Sequence, residues 1–530
     1  MTNSHVLQVH NGVSGNAMDR KIRCLRINLL SCGLDSIALS AIIFLLTMPI
    51  IGFFFFVGTP LFALVFIITV LAALWINRSK QTIFDGVSSG TQVFAIICFA
   101  VATLITLVGG GGRIFPITSD WLIRDAVLHD LVIRSWPFTY KFDGTLWSLR
   151  APLGMYLGPA LIGKLVCLYA AYVTLWLQNA IAIAFVLWLL CGGTKTSQSV
   201  TVLIVFCIFG GFDVVGYALF GIQPLKTVFQ NGAYGGGIQW WNPLFQYSST
   251  LTLAFWVPNH AIAGWFIAAL VLMWDRHRIG LGLLAYGAAL SVFWSPLPLM
   301  GALPFLLKAG VEAIWNRRLG WPDVATAALI VVGILPLLVY LACDSSAVAN
   351  WLQAPTPAFD TFYCLFIGLE VFPFVAVNAL YSGNRGGFSV STYRLAVVTL
   401  LLIPFYHLGA ANDFVMRASI PALAILAVVT GQTMWSVLQT KRKLPVILVA
   451  ATLTIGAVTG FSQIWGILHS PFRGISTCDL IQAWDQQPAS QVPKSGYLVP
   501  RDLLPSIFRR TPVQVYSTGP TTRRCSGEQL

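Results

Sequence analysis

Charged side chains are scarce in this chain. Of its 530 residues, only 10% are Asp, Glu, Lys or Arg, whereas 57% are hydrophobic and the mean hydropathy is +0.77. So few charges cannot cover a water-soluble fold. The apolar residues instead form runs of about 17 to 25 residues, the length of a helix that crosses a bilayer. The sequence therefore predicts an all-α, multi-pass membrane protein.

The sequence also lacks the common signatures of nucleotide and nucleophile chemistry. It contains no glycine-rich phosphate loop, no paired-cysteine metal site, no nucleophile elbow and no internal repeat. No predicted cytoplasmic segment after the amino-terminal tail is long enough to fold as a domain. An ATP-driven pump or a kinase should show nucleotide-binding residues in such a domain, so both classes are disfavoured.

Basic residues are in excess, but they are dispersed. The formal net charge is +13, yet Lys and Arg occur singly or in pairs between the apolar runs. Membrane topology explains this pattern better than a nucleic-acid partner does, because cytoplasmic loops are enriched in basic residues. We therefore expect no nucleic-acid binding, and we place the short connections that carry these residues in the cytoplasm.

The apolar runs predict thirteen transmembrane helices. With residues 1–28 as a cytoplasmic tail, this odd number puts residues 464–530 on the extracytoplasmic side, together with the long loops 110–167 and 218–258. The domain that spans the membrane covers residues 29–463. The predicted helices are 34–56, 59–77, 90–109, 168–191, 199–217, 259–274, 279–294, 298–314, 323–343, 361–381, 393–409, 417–438 and 445–463.

Two cysteines differ from the others in their predicted surroundings. Most cysteines lie in predicted helices, where they act as small apolar residues. Cys478 and Cys525 fall in the external segment, where a disulfide would persist. The sequence leaves open whether they pair.

Between Leu30 and Phe461, ionisable residues gather most densely in the loop 110–167. Such a group beside a bilayer is a functional-site hypothesis by default. Residues 126–136 have an apolar side and predict a helix that lies flat on the membrane. Residues 151–166 are apolar but short, so we expect them to be re-entrant or interfacial. The ionisable residues are Arg113, Asp120, Arg124, Asp125, His129, Asp130, Arg134, Lys141, Asp143 and Arg150.

The loop 218–258 is rich in glycine and aromatic residues, among them Trp240 and Trp241. This composition suits a mobile segment over a sugar or lipid site, because aromatic rings pack on the apolar faces of sugars. An aromatic belt at the membrane interface explains it equally well.

The predicted topology brings further polar residues to the level of the first loop. In this position Asp120 could act as a general base. Arg124 and Arg417 could stabilise a leaving phosphate, because a guanidinium forms paired hydrogen bonds to phosphate oxygens. Asp125 is the second candidate acid. The added residues are Asn259, His260, His407, Asn412, Asp413 and Arg417.

Each candidate also has a structural explanation. Asp120 suits an N-cap of the helix that follows. Asp125 or Asp130 could form a solvated ion pair with Arg124 or Arg134. His129 could be an ordinary surface histidine. His260 follows a proline at a helix start, and Asp413 and Arg417 are spaced i, i+4, as in a structural ion pair.

The order of these elements resembles the GT-C superfamily of integral membrane glycosyltransferases. The matching stretches are SDWLIRDAVLHDL from Ser119, SWP from Ser135, LRAPLGMYLGPALIGKL from Leu149 and NDFVMRASIPAL from Asn412. The resemblance implies that Asp120 occupies the family's catalytic acidic position, with Asp125 as the alternative. It also implies that Arg417 contacts the phosphate of a polyprenyl-phosphate sugar donor. Whether the reaction requires a divalent cation, Mg²⁺ or Mn²⁺, stays open.

These observations predict an inverting glycosyltransferase of a bacterial cytoplasmic membrane. Its partners would be a polyprenyl-phosphate sugar, a lipid or glycan acceptor, and membrane lipids. A transporter or lipid flippase is the main alternative, since Glu370 and Asp213 lie within apolar runs. A polysaccharide polymerase or ligase, and an acyltransferase with His129 or His407 as base, are further alternatives.

Overall fold

The protein is described by a computed structural model. The described residues are 37–77, 91–193, 195–221, 225, 237–381, 389–409, 411–440, 442–472, 474–486, 496–509, 513–517 and 525. The predicted cytoplasmic tail, residues 1–28, lies outside them.

Helices dominate the described part of the chain. We number them α1 to α21 in chain order. They are α1 Ile37–Phe56, α2 Pro60–Asn77, α3 Thr91–Val108, α4 Trp121–Ile133, α5 Leu157–Leu165, α6 Leu168–Cys191, α7 Thr196–Ile208, α8 Asp213–Phe220, α9 Thr250–Trp256, α10 Pro258–Asp275, α11 Leu281–Leu290, α12 Pro296–Trp315, α13 Trp321–Ala342, α14 Pro357–Glu370, α15 Phe372–Tyr381, α16 Val390–Leu402, α17 Asp413–Ala418, α18 Ile420–Gln439, α19 Lys443–Leu468, α20 Leu480–Asp485 and α21 Ser506–Arg509.

The all-α membrane character is confirmed, but the count of thirteen crossings is not. Every predicted run contains helix. Within the described residues, however, eight helices are long and apolar enough to cross a membrane, with α7 and α8 taken together as one. The bent pair of α14 and α15 brings the number to nine. Other runs are shorter than predicted, such as those that form α3, α11 and α16.

The bend between α14 and α15 has a local cause. The two helices meet at 43°. Pro373 has no amide hydrogen, so it cannot donate to the carbonyl of Leu369 as a continuous helix would require. That carbonyl instead accepts a hydrogen bond of 3.1 Å from the backbone N–H of Phe212, which lies directly before α8. The broken crossing is therefore joined to a second helix interruption.

The core of the bundle is centred on α10. All of its residues from Pro258 to Trp274 are buried. A helix that is apolar all round must be surrounded by protein or lipid, and α10 packs against α6, α12 and α18. Its first turn carries Asn259 and His260, so the best-packed helix of the bundle positions two of the predicted site residues.

Short strands connect the first loop to the C-terminal segment. A four-stranded sheet has the order β5-β2-β1-β6, with β1 and β6 parallel and the other pairs antiparallel. Strands β1 and β2 belong to the first loop, whereas β5 and β6 lie in the segment 464–530. The two segments therefore lie on the same side of the bundle, as predicted. The strands are β1 Phe138–Phe142, β2 Thr145–Leu149, β3 Asn350–Leu352, β4 Tyr406–Leu408, β5 Leu498–Pro500 and β6 Gln514–Ser517.

Two predictions for the first loop have different outcomes. The helix predicted for residues 126–136 is α4, which starts at Trp121 and has ten of its thirteen residues buried. Protein covers most of this helix, and its orientation relative to the membrane stays a prediction. The segment 151–166 forms α5, whose nine residues reach only about 13 Å. It is too short to cross a bilayer, in agreement with the prediction.

Candidate functional site

Asp120 provides the accessible carboxylate of the candidate site. It lies directly before α4 with helical backbone angles, and its side chain accepts no capping hydrogen bond. The alternative role as an N-cap is therefore wrong. The side chain is 46% exposed, and its Oδ2 lies 3.9 Å from Nη2 of Arg124. A substrate can therefore reach this carboxylate.

Arg124 forms the buried side of the site, one turn further along α4. Its Nη1 donates to Oδ1 of Asn259 at 2.9 Å and lies 3.5 Å from the hydroxyl of Tyr156. Its Nε has no hydrogen-bond partner within the described residues. A buried guanidinium with an unused donor beside an accessible carboxylate can bind an anion.

Asp413 and Arg417 approach from α17. Asn412 adopts the left-handed conformation before this helix, and its side chain donates to the carbonyl of Leu244 at 3.0 Å. The carboxylate of Asp413 lies 2.8 Å from Nη2 of Arg417, and both side chains are partly exposed. The predicted structural pair is therefore present, and its position leaves both groups accessible.

The charges of α17 act on Asp120. Although solvent reaches Asp120, protein surrounds the rest of its carboxyl, and this burial raises its pKa above the ordinary value. Arg124 and Arg417 each lower the pKa, whereas Asp413 raises it, and the net shift is upward. Residues far apart in sequence thus lie within electrostatic reach of one carboxyl.

His260 joins the same group from the first turn of α10. It is buried, and its Nδ1 lies 2.5 Å from Oγ of Ser295. Arg124 and Arg417 are both within electrostatic reach of its ring. The structure therefore brings together Asp120, Arg124, His260, Asp413 and Arg417.

Asp125 is not part of this group. Its carboxylate is buried and forms an ion pair with Arg113. The guanidinium of Arg113 also lies over the rings of Trp121 and Tyr172, at 5.2 and 4.9 Å from their centroids. The structure therefore does not support Asp125 as an alternative catalytic acid, because its charge is already matched inside the protein.

Asp130 and His129 connect the first loop to the C-terminal segment. The fully buried carboxylate of Asp130 accepts hydrogen bonds from Nε of Arg134, the hydroxyl of Tyr140 and the backbone N–H of Leu480, at 2.7 to 2.9 Å. Nδ1 of His129 lies 3.3 Å from the same carboxylate. Their contacts are those of a structural junction, so the predicted role in substrate binding is not supported for either residue.

The two tryptophans of the second loop have different positions. Trp240 is 56% exposed. Trp241 is buried, and its Nε1 donates to Oε1 of Glu370 at 3.2 Å. Trp240 is the one that can act as an aromatic platform, and the prediction for Trp241 is not supported. Residues 222–224 and 226–236 of this loop lie outside the described residues.

His407 stacks on an aromatic ring beside α17. Its ring lies 3.7 Å from that of Trp351, centroid to centroid, and its Nε2 lies 2.8 Å from the carbonyl of Gly409. Asp413 is within electrostatic reach. His407 therefore borders the candidate site, with its ring face covered.

Two tyrosines belong to the site but were not predicted. Tyr156 contacts Arg124, and Tyr497 acts electrostatically on both Arg124 and Tyr156. Tyr156 precedes α5 in an apolar stretch, and Tyr497 lies in the C-terminal segment. No short motif marks either residue. Tyr156 lies directly before α5, which packs against α4, whereas Tyr497 comes to the site through the pairing of β2 with β5, which is distant in sequence.

The donors around Asp120 do not favour a divalent cation. Among the described residues, no group of three or more His, Cys, Asp or Glu side chains could hold a metal ion. The two carboxylates of the site, Asp120 and Asp413, both face arginines. A cation, Mg²⁺ or Mn²⁺, at either carboxylate would compete with a guanidinium.

Comparisons with protein-family models, curated proteins and solved structures found no match to this chain.

Proposed function

We propose that the protein is a GT-C-like, inverting glycosyltransferase. It transfers a sugar from a polyprenyl-phosphate donor to a lipid or glycan acceptor on the extracytoplasmic face of a bacterial cytoplasmic membrane. The observation that carries the proposal is the partly exposed carboxylate of Asp120 within reach of two arginines, Arg124 and Arg417. This combination provides a base for the acceptor and positive charge for a leaving phosphate.

The proposed reaction is a single displacement at the anomeric carbon. Asp120 takes the proton of the acceptor hydroxyl, and the acceptor oxygen forms a bond to the anomeric carbon. The bond from that carbon to the phosphate oxygen breaks, and its electron pair leaves with the polyprenyl phosphate. Arg124 and Arg417 stabilise this dianion, since charge-assisted hydrogen bonds to phosphate are strong. One displacement inverts the configuration.

The membrane-facing surface of α3 supports a donor with a lipid chain. An open apolar groove of about 660 Å³ lies along this helix and is lined by residues between Ala95 and Leu107. After α3 the chain turns through Gly109 to Arg113, and Arg113 packs on Trp121, next to Asp120. The groove therefore lies on the helix that directly precedes the loop of the candidate site.

The test is transfer by the purified protein in detergent, followed as release of polyprenyl phosphate from polyprenyl-phosphate sugars. Asp120→Asn is expected to reduce kcat by about 10²- to 10⁴-fold, because a general base is lost. Asp143→Asn, an exposed change in the turn of the same loop, serves as the control and should leave the rate unchanged. No release from any common donor, or full activity in Asp120→Asn, would refute the proposal.

A transporter or lipid flippase is the second candidate, and one observation favours it. The carboxyl groups of Asp213 and Glu370 lie in contact, both buried, where two helices are interrupted. Thr459 donates to Asp213 at 2.9 Å. Buried acids within membrane helices often mark ion or substrate pathways. Movement of a fluorescent lipid-linked sugar across liposomes, lost in Glu370→Gln but kept in Asp120→Asn, would favour this candidate over the transferase.

A further inference from the structure

The C-terminal segment reaches the candidate site through its pairing with the first loop. In the register of β2 and β5, Leu149 lies opposite Leu498, and the N–H of Arg150 donates to the carbonyl of Tyr497 at 2.7 Å. Tyr497 therefore lies beside the end of β2. From there the first loop continues to Tyr156, so the strand pairing brings two tyrosines to the same region.

Tyr497 is held in place by packing. Its ring meets that of Trp484 edge to face, with centroids 5.7 Å apart, and its side chain is partly buried. It acts electrostatically on Arg124 and on Tyr156. A phenol that belongs to the C-terminal segment is thus within reach of the guanidinium that faces Asp120.

The segment is attached to the first loop at several further points. The N–H of Leu480 donates to the buried carboxylate of Asp130 at 2.9 Å, and Asp479 pairs with Arg134 at 3.2 Å. A disulfide joins Cys478 to Cys525, which confirms the pairing that the sequence left open. These contacts fix the polypeptide on both sides of Tyr497, as a residue that positions a ligand requires.

The chemistry of the group favours an anion. Arginine has only donors, so the hydroxyl oxygen of Tyr156 accepts from Arg124 and keeps its own proton for a ligand. Burial raises the pKa of Tyr156, which keeps that proton on the phenol. Nε of Arg124 is buried and has no hydrogen-bond partner among the described residues, so it is a further donor. Phosphate oxygens accept several such bonds at once.

We propose that Tyr497, together with Tyr156, completes a phosphate-binding subsite on Arg124, and that the C-terminal segment is thereby an essential part of the site. The inference rests on the proposed function, because the phosphate is that of the polyprenyl-phosphate donor or product. Tyr497 is a binding residue here, and the proton transfer stays with Asp120.

The experiment measures binding of a polyprenyl phosphate, without sugar, by its effect on the thermal unfolding of the full-length protein in detergent. Neutral polyprenol of the same length is the matched ligand. Tyr497→Phe and Tyr156→Phe are each expected to weaken binding of the phosphate by about tenfold, since a hydrogen bond to a charged group is lost. Binding of polyprenol should not change. Tyr516→Phe, on β6 of the same segment, should bind both ligands as the wild type does.

The outcomes separate this inference from the proposed function. Unchanged phosphate binding in Tyr497→Phe overturns the inference. An equal loss of phosphate and polyprenol binding also overturns it, because that result indicates a structural role. No preference of the wild type for the phosphate over polyprenol overturns it as well. Selective loss in Tyr497→Phe, in a protein that transfers no sugar, supports the inference while the proposed function fails.

Discussion

Asp120 is surrounded by charges of both signs, so single substitutions can change its protonation. Burial and Asp413 raise its pKa, whereas Arg124 and Arg417 lower it. The carboxylate is the form that can accept a proton. If Asp120 is the general base, kcat/KM falls as the pH decreases through the pKa of Asp120, and the fall begins above the ordinary aspartate value of about 4.

This arrangement predicts opposite effects for two neighbours. Asp413→Asn removes a negative charge, which lowers the pKa of Asp120 and moves the acid limb of the profile to lower pH. Arg417→Gln removes a positive charge, which raises the pKa and moves the limb to higher pH. The measurement is kcat/KM for sugar transfer as a function of pH, with Asp143→Asn as control. Shifts in the same direction for both variants would contradict the proposed role of Asp120.

Residue types and topology predicted only some of these positions. Asp120, Arg124, His260, Asp413 and Arg417 were chosen because the apolar runs bring them to one membrane level, and the structure places them together. Sequence reasoning could not show that Asp125 is neutralised by Arg113, since the two residues lie twelve positions apart across an irregular turn. Such a pairing depends on the path of the backbone between α3 and α4.

At the scale of elements, the interrupted helices are joined by close contacts that glycine permits. Gly211 lies between α7 and α8, and a Cβ at this position would lie 1.4 Å from Oε2 of Glu370. Gly368 is two residues before Glu370 on α14, and a Cβ there would meet nothing within 4 Å. The two glycines therefore differ in their surroundings although both are close to the same acid in the fold.

Gly211→Ala is expected to destabilise the protein by about 1 to 3 kcal/mol, because the carboxyl of Glu370 must move from its contact with Asp213. Gly368→Ala is expected to stabilise α14 by up to about 1 kcal/mol, since alanine favours the helix. The midpoints of thermal unfolding in detergent measure both effects. Equal midpoints for the two variants would show that the backbone between α7 and α8 is not packed against Glu370.

The C-terminal segment is the element that the sequence described least well. It has no long apolar run, and its strands have three or four residues. They form because β1 and β2 provide edges for pairing, a condition that is absent from the local sequence. Helix prediction succeeded better in the membrane region, where a long apolar run and the cost of unpaired backbone groups leave few alternatives.

The disulfide in this segment predicts a measurable effect. It closes a loop across 47 residues, and loops of this length correspond to about 4 kcal/mol of chain entropy. Cys478→Ser, or reduction of the wild type, should therefore lower the midpoint of thermal unfolding and expose the segment to proteolysis. Cys343→Ser, a free cysteine in the structure, is the control. If the reduced protein keeps both the unfolding midpoint and the protease resistance of the oxidised protein, the other contacts of the segment are enough to hold it in place.

At the scale of the whole molecule, the site depends on four elements that must lie on the same side of the bundle. They are the first loop, the start of α10, α17 and the C-terminal segment. The count of crossings could not be predicted, because apolar composition does not distinguish a straight span from a pair of helices bent at Pro373. The relative side of the two polar segments was predicted, and the mixed sheet provides its physical basis.

This arrangement can be tested in whole cells with a thiol reagent that does not cross membranes. Asp143→Cys in the β1–β2 turn and Asp485→Cys at the end of α20 are both exposed and lie on the side of the site. Asn316→Cys is exposed at the far end of α12, whose twenty residues span about 30 Å. In a background with Cys167 and Cys364 changed to Ser, the first two variants should label to the same extent in intact cells. Asn316→Cys should label only after permeabilisation. If Asp143→Cys and Asp485→Cys label from opposite sides, the sheet cannot form, Tyr497 cannot reach Arg124, and the site loses the wall that the C-terminal segment provides.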